Sequence, residues 1–363
     1  MPSLRLGLGL DIMGSNVNQT PAAPTLLAAT VYDDVRIDLA WTVNATGQDG
    51  HRIYISTDNV TFTEKGTVSG TTATYSATSL TANTQYYFKV VAYKGAIESD
   101  ASNTVSPKSY HSEIGLYITG LTTALSSTQK GKLNTLVNSL KTGLSITNLS
   151  DSFDVLRVLA GETSESSLKN IVKDAHHATA VNSPTFAAFE GFTGNGTSSY
   201  INEQYNPSTD KVRYALDSSS YGLYLRSVSS APASTMYNGA INAASERLII
   251  GVLTSGTMFT IALNSSTTTG STVGDSFVSL SRNASANFDL YKNKTKSTLT
   301  VASSAIPNRT LYTLACNNSG TAALFINYQI AISYMGKGFT ETQIGLIVDA
   351  IEVYMDSNGK GKI

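Results

Sequence analysis

The hydrophobic period changes twice along the chain, and no other feature limits the possible folds as strongly. From Thr25 to about Pro107, short runs alternate apolar and polar residues and are split by turn signals, as in Val35–Trp41, His51–Ile55 and Tyr86–Tyr93. Such alternation marks strands with one face toward a core. Between Ile114 and about Ala180 the spacing becomes helical, and from Asn182 it returns to alternation almost to the end. A chain of 363 residues that changes period in this way exceeds the usual limit of one hydrophobic core, so more than one body is expected.

The boundaries follow from local composition. Residues 11–24 are rich in Asn, Gly, Ser and Pro and end Thr20-Pro-Ala-Ala-Pro24, which reads as an extended linker. Ahead of it, Leu4, Leu6, Leu8 and Leu10 alternate with Arg and Gly. This is the pattern of an edge strand, and it is read as a docking peptide over 1–19, with a frayed end as the alternative, rather than as a secretory leader. The expected division is then 20–108 as a β-sandwich, 109–181 as a small helical connector and 182–363 as a larger β body with a C-terminal helix. In the connector, Ser126-Ser-Thr-Gln129 has the form of a capping box, ahead of a stripe of Leu133, Leu136, Val137 and Leu140 that Gly143 can end. A second helix is expected from Ser150 through Phe153, Leu156, Leu159 and Ala160 to Gly161. A third is expected to start at Thr163 and to carry Leu168, Ile171 and Val172. Stripes this short need a neighbour to bury them.

In the β body, strands are expected at Tyr221–Arg226, Arg247–Leu253, Met258–Leu263, Phe277–Ser281, Phe288–Tyr291 and Ser297–Val301. About 170 residues of strands without an intervening helix point to a two-sheet jelly roll. The terminal helix should bury Ile344, Ile347, Val348, Ile351 and Met355 on one face.

Three resemblances add to this reading. Residues 20–108 resemble a fibronectin type III domain: Trp41 corresponds to its early buried tryptophan, Ile53 and Tyr54 to the next strand, and Leu80-Thr-Ala-Asn-Thr-Gln-Tyr86 to its leucine–tyrosine corner. The resemblance makes Trp41 and Tyr86 structural residues. Ala82 departs from the family, which often has proline there, and no Arg-Gly-Asp tripeptide is present. Residues 182–363 resemble the concanavalin A-like, laminin-G-like jelly roll, on the Leu290-Tyr-Lys-Asn293 hairpin and the Ala323–Tyr334 run. Residues 1–19 and 109–363 resemble proteins of phages that infect Bacteroidota, on the leucine-alternating start and on Asn182-Ser-Pro-Thr-Phe186 leading to Gly194–Asn202. That likeness implies a virion fibre or decoration protein located in the virion, partnered by capsid, portal or tail proteins.

Chemistry is sparse. With 25 Lys+Arg against 26 Asp+Glu, the chain has no field to hold a nucleic acid or an anionic membrane surface, and no apolar run reaches the length of a membrane span, so neither nucleic-acid binding nor membrane insertion is expected. Cys316, the single cysteine, reads as a small buried hydrophobe. His51, His111, His176 and His177 show no metal spacing. Asp356-Ser-Asn358-Gly-Lys360 copies the start of a calcium loop but lacks the closing Glu, and reads as a flexible tail. Glu190, Glu203, Asp210, Asp217 and Asp289 do not form the paired carboxylates of a glycoside hydrolase.

The expectation is therefore a mostly β structural protein with no catalytic residues, cofactor or metal, assembled as a homo-oligomer that contacts host surface glycans. Tyrosines suit sugar stacking, and Tyr200, Tyr205, Tyr221 and Tyr224, with Tyr237, are the candidate glycan contacts, the alternative being packing on the strand faces. The alternatives are a carbohydrate-binding adhesin outside any particle and a glycan-cleaving enzyme.

Overall fold

The computed structural model describes residues 19–228, 236–253, 255, 257–264, 268–272 and 274–363. Leu4, Leu6, Leu8 and Leu10, expected to dock the chain, lie outside the described residues. The chain divides between Ser109 and Tyr110 into two units, and it is mostly β.

Among the described residues the first unit has seven strands: β1 (Thr25–Val31), β2 (Ile37–Thr42), β3 (Gly50–Ser56), β4 (Thr63–Ser69), β5 (Thr74–Ala77), β6 (Tyr87–Lys94) and β7 (Ile97–Glu98). They form two antiparallel sheets, ordered β1-β2-β5 and β4-β3-β6-β7. Between them lies one cluster of Ile37, Leu39, Trp41, Ile53, Phe88 and Val90 with their neighbours, all buried. Trp41 meets His51 edge-on at 5.4 Å. The tyrosine corner forms as expected, because the Thr81 N–H donates to the Tyr86 hydroxyl at 2.8 Å and lets a buried ring keep its polar tip satisfied.

The second unit opens with α1 (Ser112–Ile118) and α2 (Ser127–Leu144). The Ser126 hydroxyl caps α2 by accepting from the Gln129 N–H at 3.1 Å, and Leu133, Leu136, Val137 and Leu140 are all buried. The helix runs one residue past Gly143 and ends on Ser145, which takes the left-handed conformation. Next come β8 (Phe153–Val158) and the single turn α3 (Ser164–Ser167). Strands β9 (Thr179–Val181), β10 (Thr185–Ala187), β11 (Gly191–Thr193), β12 (Tyr200–Asn202), β13 (Ser219–Arg226), β14 (Met236–Ala243), β15 (Glu246–Val252) and β16 (Thr257–Ala262) follow. After them the chain forms β17 (Thr268–Thr272), β18 (Ser276–Arg282), β19 (Phe288–Lys292), β20 (Thr295–Leu299), β21 (Tyr312–Thr313), β22 (Cys316–Asn318), β23 (Thr321–Ala323) and β24 (Gln329–Gly336), then α4 (Glu341–Ser357).

The main sheet runs β10-β11-β24-β13-β18-β19-β20, with β8 also paired to β24, and a second sheet runs β17-β16-β15-β14-β22-β23. One large core joins them, drawing Tyr221, Leu223 and Leu225 from β13, Val278 and Leu280 from β18, and Leu248, Ile250 and Val252 from β15. The result is a two-sheet, jelly-roll-like body. The opposite face of the main sheet is covered too. Tyr224 of β13 donates to Glu352 of α4 at 2.6 Å, while Ser279 of β18 bonds the Tyr334 hydroxyl at 2.6 Å. Gly222 must lack a side chain there, since a Cβ would sit 2.0 Å from the Tyr334 ring. Helix α4 buries Ile344, Ile347, Val348, Ile351 and Met355, as its stripe requires, and its Tyr354 hydroxyl accepts from Gln129 of α2 at 2.5 Å.

The second helix expected over Ser150–Gly161 is instead strand β8, paired with β24 from Val158↔Ile332 to Phe153↔Gly336. All six of its residues are buried. A strand covered on both faces loses its alternation, and the spacing of Phe153, Leu156 and Leu159 then imitates a helix. The third expected helix begins at its Thr163 cap, where Thr163 Oγ1 accepts from the Ser166 N–H, but stops after one turn. The helices expected to connect the two bodies are thus part of the second one.

Candidate functional site

Strand β12 and its continuation, Tyr200-Ile-Asn-Glu-Gln-Tyr205, carry a half-buried polar–aromatic strip of the second unit. Alternation sends Ile201, Glu203 and Tyr205 inside, each 0% exposed, and leaves Tyr200, Asn202 and Gln204 on the outer side. Strand β9 lies beside it, with Tyr200 opposite Val181 and Asn202 opposite Thr179, and β21 lies on the other side with Tyr312 opposite Asn202. The Tyr200 and Tyr312 rings meet at 4.5 Å, and Phe325 adds a third ring 6.3 Å from Tyr200. One end of the strip is therefore aromatic. The other is amide and hydroxyl: the Gln204 side chain donates to Thr179 Oγ1 at 3.3 Å, and the Gln204 N–H donates to Asn202 Oδ1 at 3.0 Å. Asn202 Nδ2 and Gln204 Oε1 have no partner among the described residues. None of the side chains in the strip carries a charge.

Beneath it, the inward residues fix the strand. Arg157 of β8 donates to Glu203 Oε2 at 2.5 Å, and both side chains are 0% exposed. Arg157 also donates to the carbonyls of His176 and Glu203, while Glu203 Oε1 accepts from Thr313 Oγ1 at 2.6 Å and Ser333 Oγ at 3.2 Å. Asp154 takes Tyr205 Oη at 2.8 Å and the backbone N–H groups of Val212, Arg213 and Tyr214. These bonds hold the outer strip from behind.

Of the four tyrosines expected to touch glycan, only Tyr200 reaches the surface, half-buried with its ring against the main core. Tyr205, Tyr221 and Tyr224 are each 0% exposed: Tyr221 lies in the inter-sheet core, Tyr205 on Asp154 and Tyr224 under α4. Their exclusion follows from parity for Tyr205 and from the covered sheet for the other two. Tyr237 is half-buried against Ile249, Ile261 and Cys316. Asn202 and Gln204 were missed, although they share the parity of Tyr200; Tyr312 and Phe325, more than a hundred residues away, carried no local signal.

Each scattered carboxylate already has a partner. Glu190 pairs with Lys360, Glu203 with Arg157, and Asp210 accepts the Asn206 N–H at 2.8 Å. Asp217 accepts from Ser303, and Asp289 from Thr298. His177 is held between Asp174 and the Asn170 N–H, and His176 bonds the Gln204 carbonyl at 2.8 Å. No cluster of three or more metal-ligating side chains occurs among the described residues, nor any helix long and apolar enough to cross a membrane. Burial pushes the Cys316 thiol up to about 12. The Asp356–Ile363 tail is bound rather than loose, since the Lys362 and Ile363 N–H groups donate to Glu352 at 2.7 and 2.9 Å.

In the first unit, the two-sheet topology and the Tyr86 corner coincide with a family match: residues 22–108 fit the model of the fibronectin type III domain. These residues are a fibronectin type III domain. Chitinase A1 of Niallia circulans is 43% identical over 93 residues, a stretch that makes up 25% of this chain and 12% of the chitinase. The chain therefore spans only a small part of that relative. Among solved structures, a fibronectin type III-like protein from Clostridium thermocellum is 28% identical, covering 26% of this chain and 100% of its own, with a TM-score of 0.22. A β-1,2-glucanase from Parabacteroides distasonis is 22% identical over 34% of this chain and 15% of its own, with a TM-score of 0.24.

Proposed function

We propose that the chain is a non-catalytic binding protein whose second unit, a jelly roll of the concanavalin A-like kind, contacts glycan through the outer strip on β12. The observation that carries this reading is the strip itself: the half-buried rings of Tyr200 and Phe325, backed by the buried Tyr312, next to uncommitted amides, without charge, on a strand locked from behind. Sugar rings present C–H faces that stack on aromatics and hydroxyls that pair with planar amides, which is the mixture found here. The carbohydrate setting of the chitinase that shares the fibronectin type III domain supports the same class of partner.

The leucine-alternating start and the phage-like segments support a finer assignment. In it the chain is a homo-oligomeric fibre or decoration protein of a phage virion, held by capsid, portal or tail proteins, with the β units projecting toward host glycans. The chitinase likeness favours a second setting, an adhesin outside any particle. Glycan arrays probed with the full chain test the binding: selective signal is expected, lost in Tyr200→Ala, and a blank array contradicts the reading. Capsular polysaccharide incubated with the chain should keep its length, and shortened products would overturn the non-catalytic assignment. Mass spectrometry of purified virions separates the two settings.

A further inference from the structure

The strip on β12 presents one hydrogen-bond donor and one acceptor, each held in its role by a second bond. Asn202 Oδ1 accepts the Gln204 N–H at 3.0 Å, which orients the amide and leaves Nδ2 as a donor without a partner among the described residues. Gln204 Nε2 donates to Thr179 Oγ1 at 3.3 Å, which leaves Oε1 as an acceptor in the same position. Thr179 is the residue opposite Asn202 in the β12–β9 ladder, so the Gln204 side chain folds back along its strand and both amides stand over one rung. The main chain below is clamped. Gln204 takes the left-handed conformation at φ +49°, with its N–H on Asn202 and its carbonyl accepting from His176 Nδ1 at 2.8 Å.

The fixed polarity of this pair discriminates among the groups a sugar can offer. A hydroxyl carries donor and acceptor on a single atom and can turn either role toward water, so it gains little from partners whose roles are set. An acetamido group is different: its carbonyl oxygen only accepts, its N–H only donates, and both lie in one plane. Two side-chain amides of opposite polarity on one rung match it, Asn202 Nδ2 donating to the carbonyl and the acetamido N–H donating to Gln204 Oε1. The methyl group of the same substituent asks for an apolar surface beside the amides. Tyr200, two residues before Asn202 on the same side of β12, supplies one, with its ring 4.5 Å from that of Tyr312. Tyr200, Asn202, Gln204 and Thr179 carry no charge, so they offer no counter-charge to an ammonium or a carboxylate placed there.

We propose that the strip selects 2-acetamido sugars, reading the acetamido group with Asn202 and Gln204 and its methyl with Tyr200. The proposal rests on the glycan-binding reading of the strip and adds the substituent that decides among glycans. Calorimetric titration of the full chain with tetramers of β-1,4-linked N-acetylglucosamine, glucosamine and glucose, which differ at C2 alone, tests it. N-acetylglucosamine should bind at least about tenfold more tightly than the other two, and Tyr200→Ala should lose all binding. Asn202→Asp keeps the oxygen that holds the Gln204 N–H but replaces the donor by a second oxygen, and should bring N-acetylglucosamine down to the level of glucose. Gln204→Glu keeps an acceptor and should retain most of the preference. Glucose bound as tightly as N-acetylglucosamine, and lost in Tyr200→Ala, overturns the acetamido assignment while the strip stands. Acetamido glycans missing from an otherwise positive array do the same, and a blank array removes both readings. A preference that survives Asn202→Asp puts recognition elsewhere and overturns the proposal as well.

Discussion

The two units solve the burial of a sheet differently. In the fibronectin type III domain each sheet has one covered face, so β2 reads buried-in, polar-out along its length, and its ion pairs stay at the surface, as in Arg36–Asp38 and Arg52–Glu98. In the second unit the main sheet is covered on both sides, and β13, β18 and β24 are buried at every position. Charge there is interior as well, with Arg157 and Glu203 fully enclosed. Alternation in sequence therefore reports single coverage, and its loss reports double coverage.

This contrast predicts unequal responses to substitution. The largest concerns the enclosed pair: Glu203→Leu leaves Arg157 buried without its counter-charge and should cost the second unit about 3–5 kcal/mol. Arg157→Leu with Glu203→Leu should recover much of that loss. Urea unfolding followed separately for each unit measures both, and an additive double variant would break the comparison. In the first unit, Tyr86→Phe strands the Thr81 N–H and should cost about 1–2 kcal/mol, read as a lowered midpoint of that unit alone.

The pH response sharpens the contrast further. Burial pushes the His51 imidazole below its usual 6.5, more than the Thr72 main chain raises it. The unfolded chain then binds a proton that the folded domain resists, so its stability is steady above about pH 6.5 and falls below it. The slope is at most about 1.4 kcal/mol per pH unit. His51→Phe should flatten this slope, as monitored by Trp41 fluorescence between pH 6.5 and 5. Smallest of all, Arg36→Ala removes an exposed pair and should change stability by less than about 1 kcal/mol, with any effect fading in salt.

The same contrast explains what the sequence revealed. In the first unit β2, β3 and β6 were legible, with Trp41 and Tyr86, because turns and alternation are local signals, whereas β1, β4 and β5 were not placed. In the second, strands that keep long apolar runs were placed, and so were α2 and α4 from their caps and stripes. Strand β8 was not, because its neighbours on both faces come from β24 and from segments distant in sequence. The proposed strip was half legible: Tyr200 was identified, and the parity of β12 places Asn202 and Gln204 on its side of the strand and Tyr205 on the other. Tyr312 and Phe325 join only through strand pairing and loop packing after a long separation.

The most direct measurement compares glycan binding by Tyr200→Ala and Tyr205→Phe, two changes five residues apart on opposite sides of one strand. Tyr200→Ala should abolish array binding while the second unit still unfolds cooperatively, its midpoint lowered by the lost ring packing, whereas Tyr205→Phe should lower the midpoint and leave binding in place. Retained binding in Tyr200→Ala, or loss confined to Tyr205→Phe, would contradict the assignment of the outer strip.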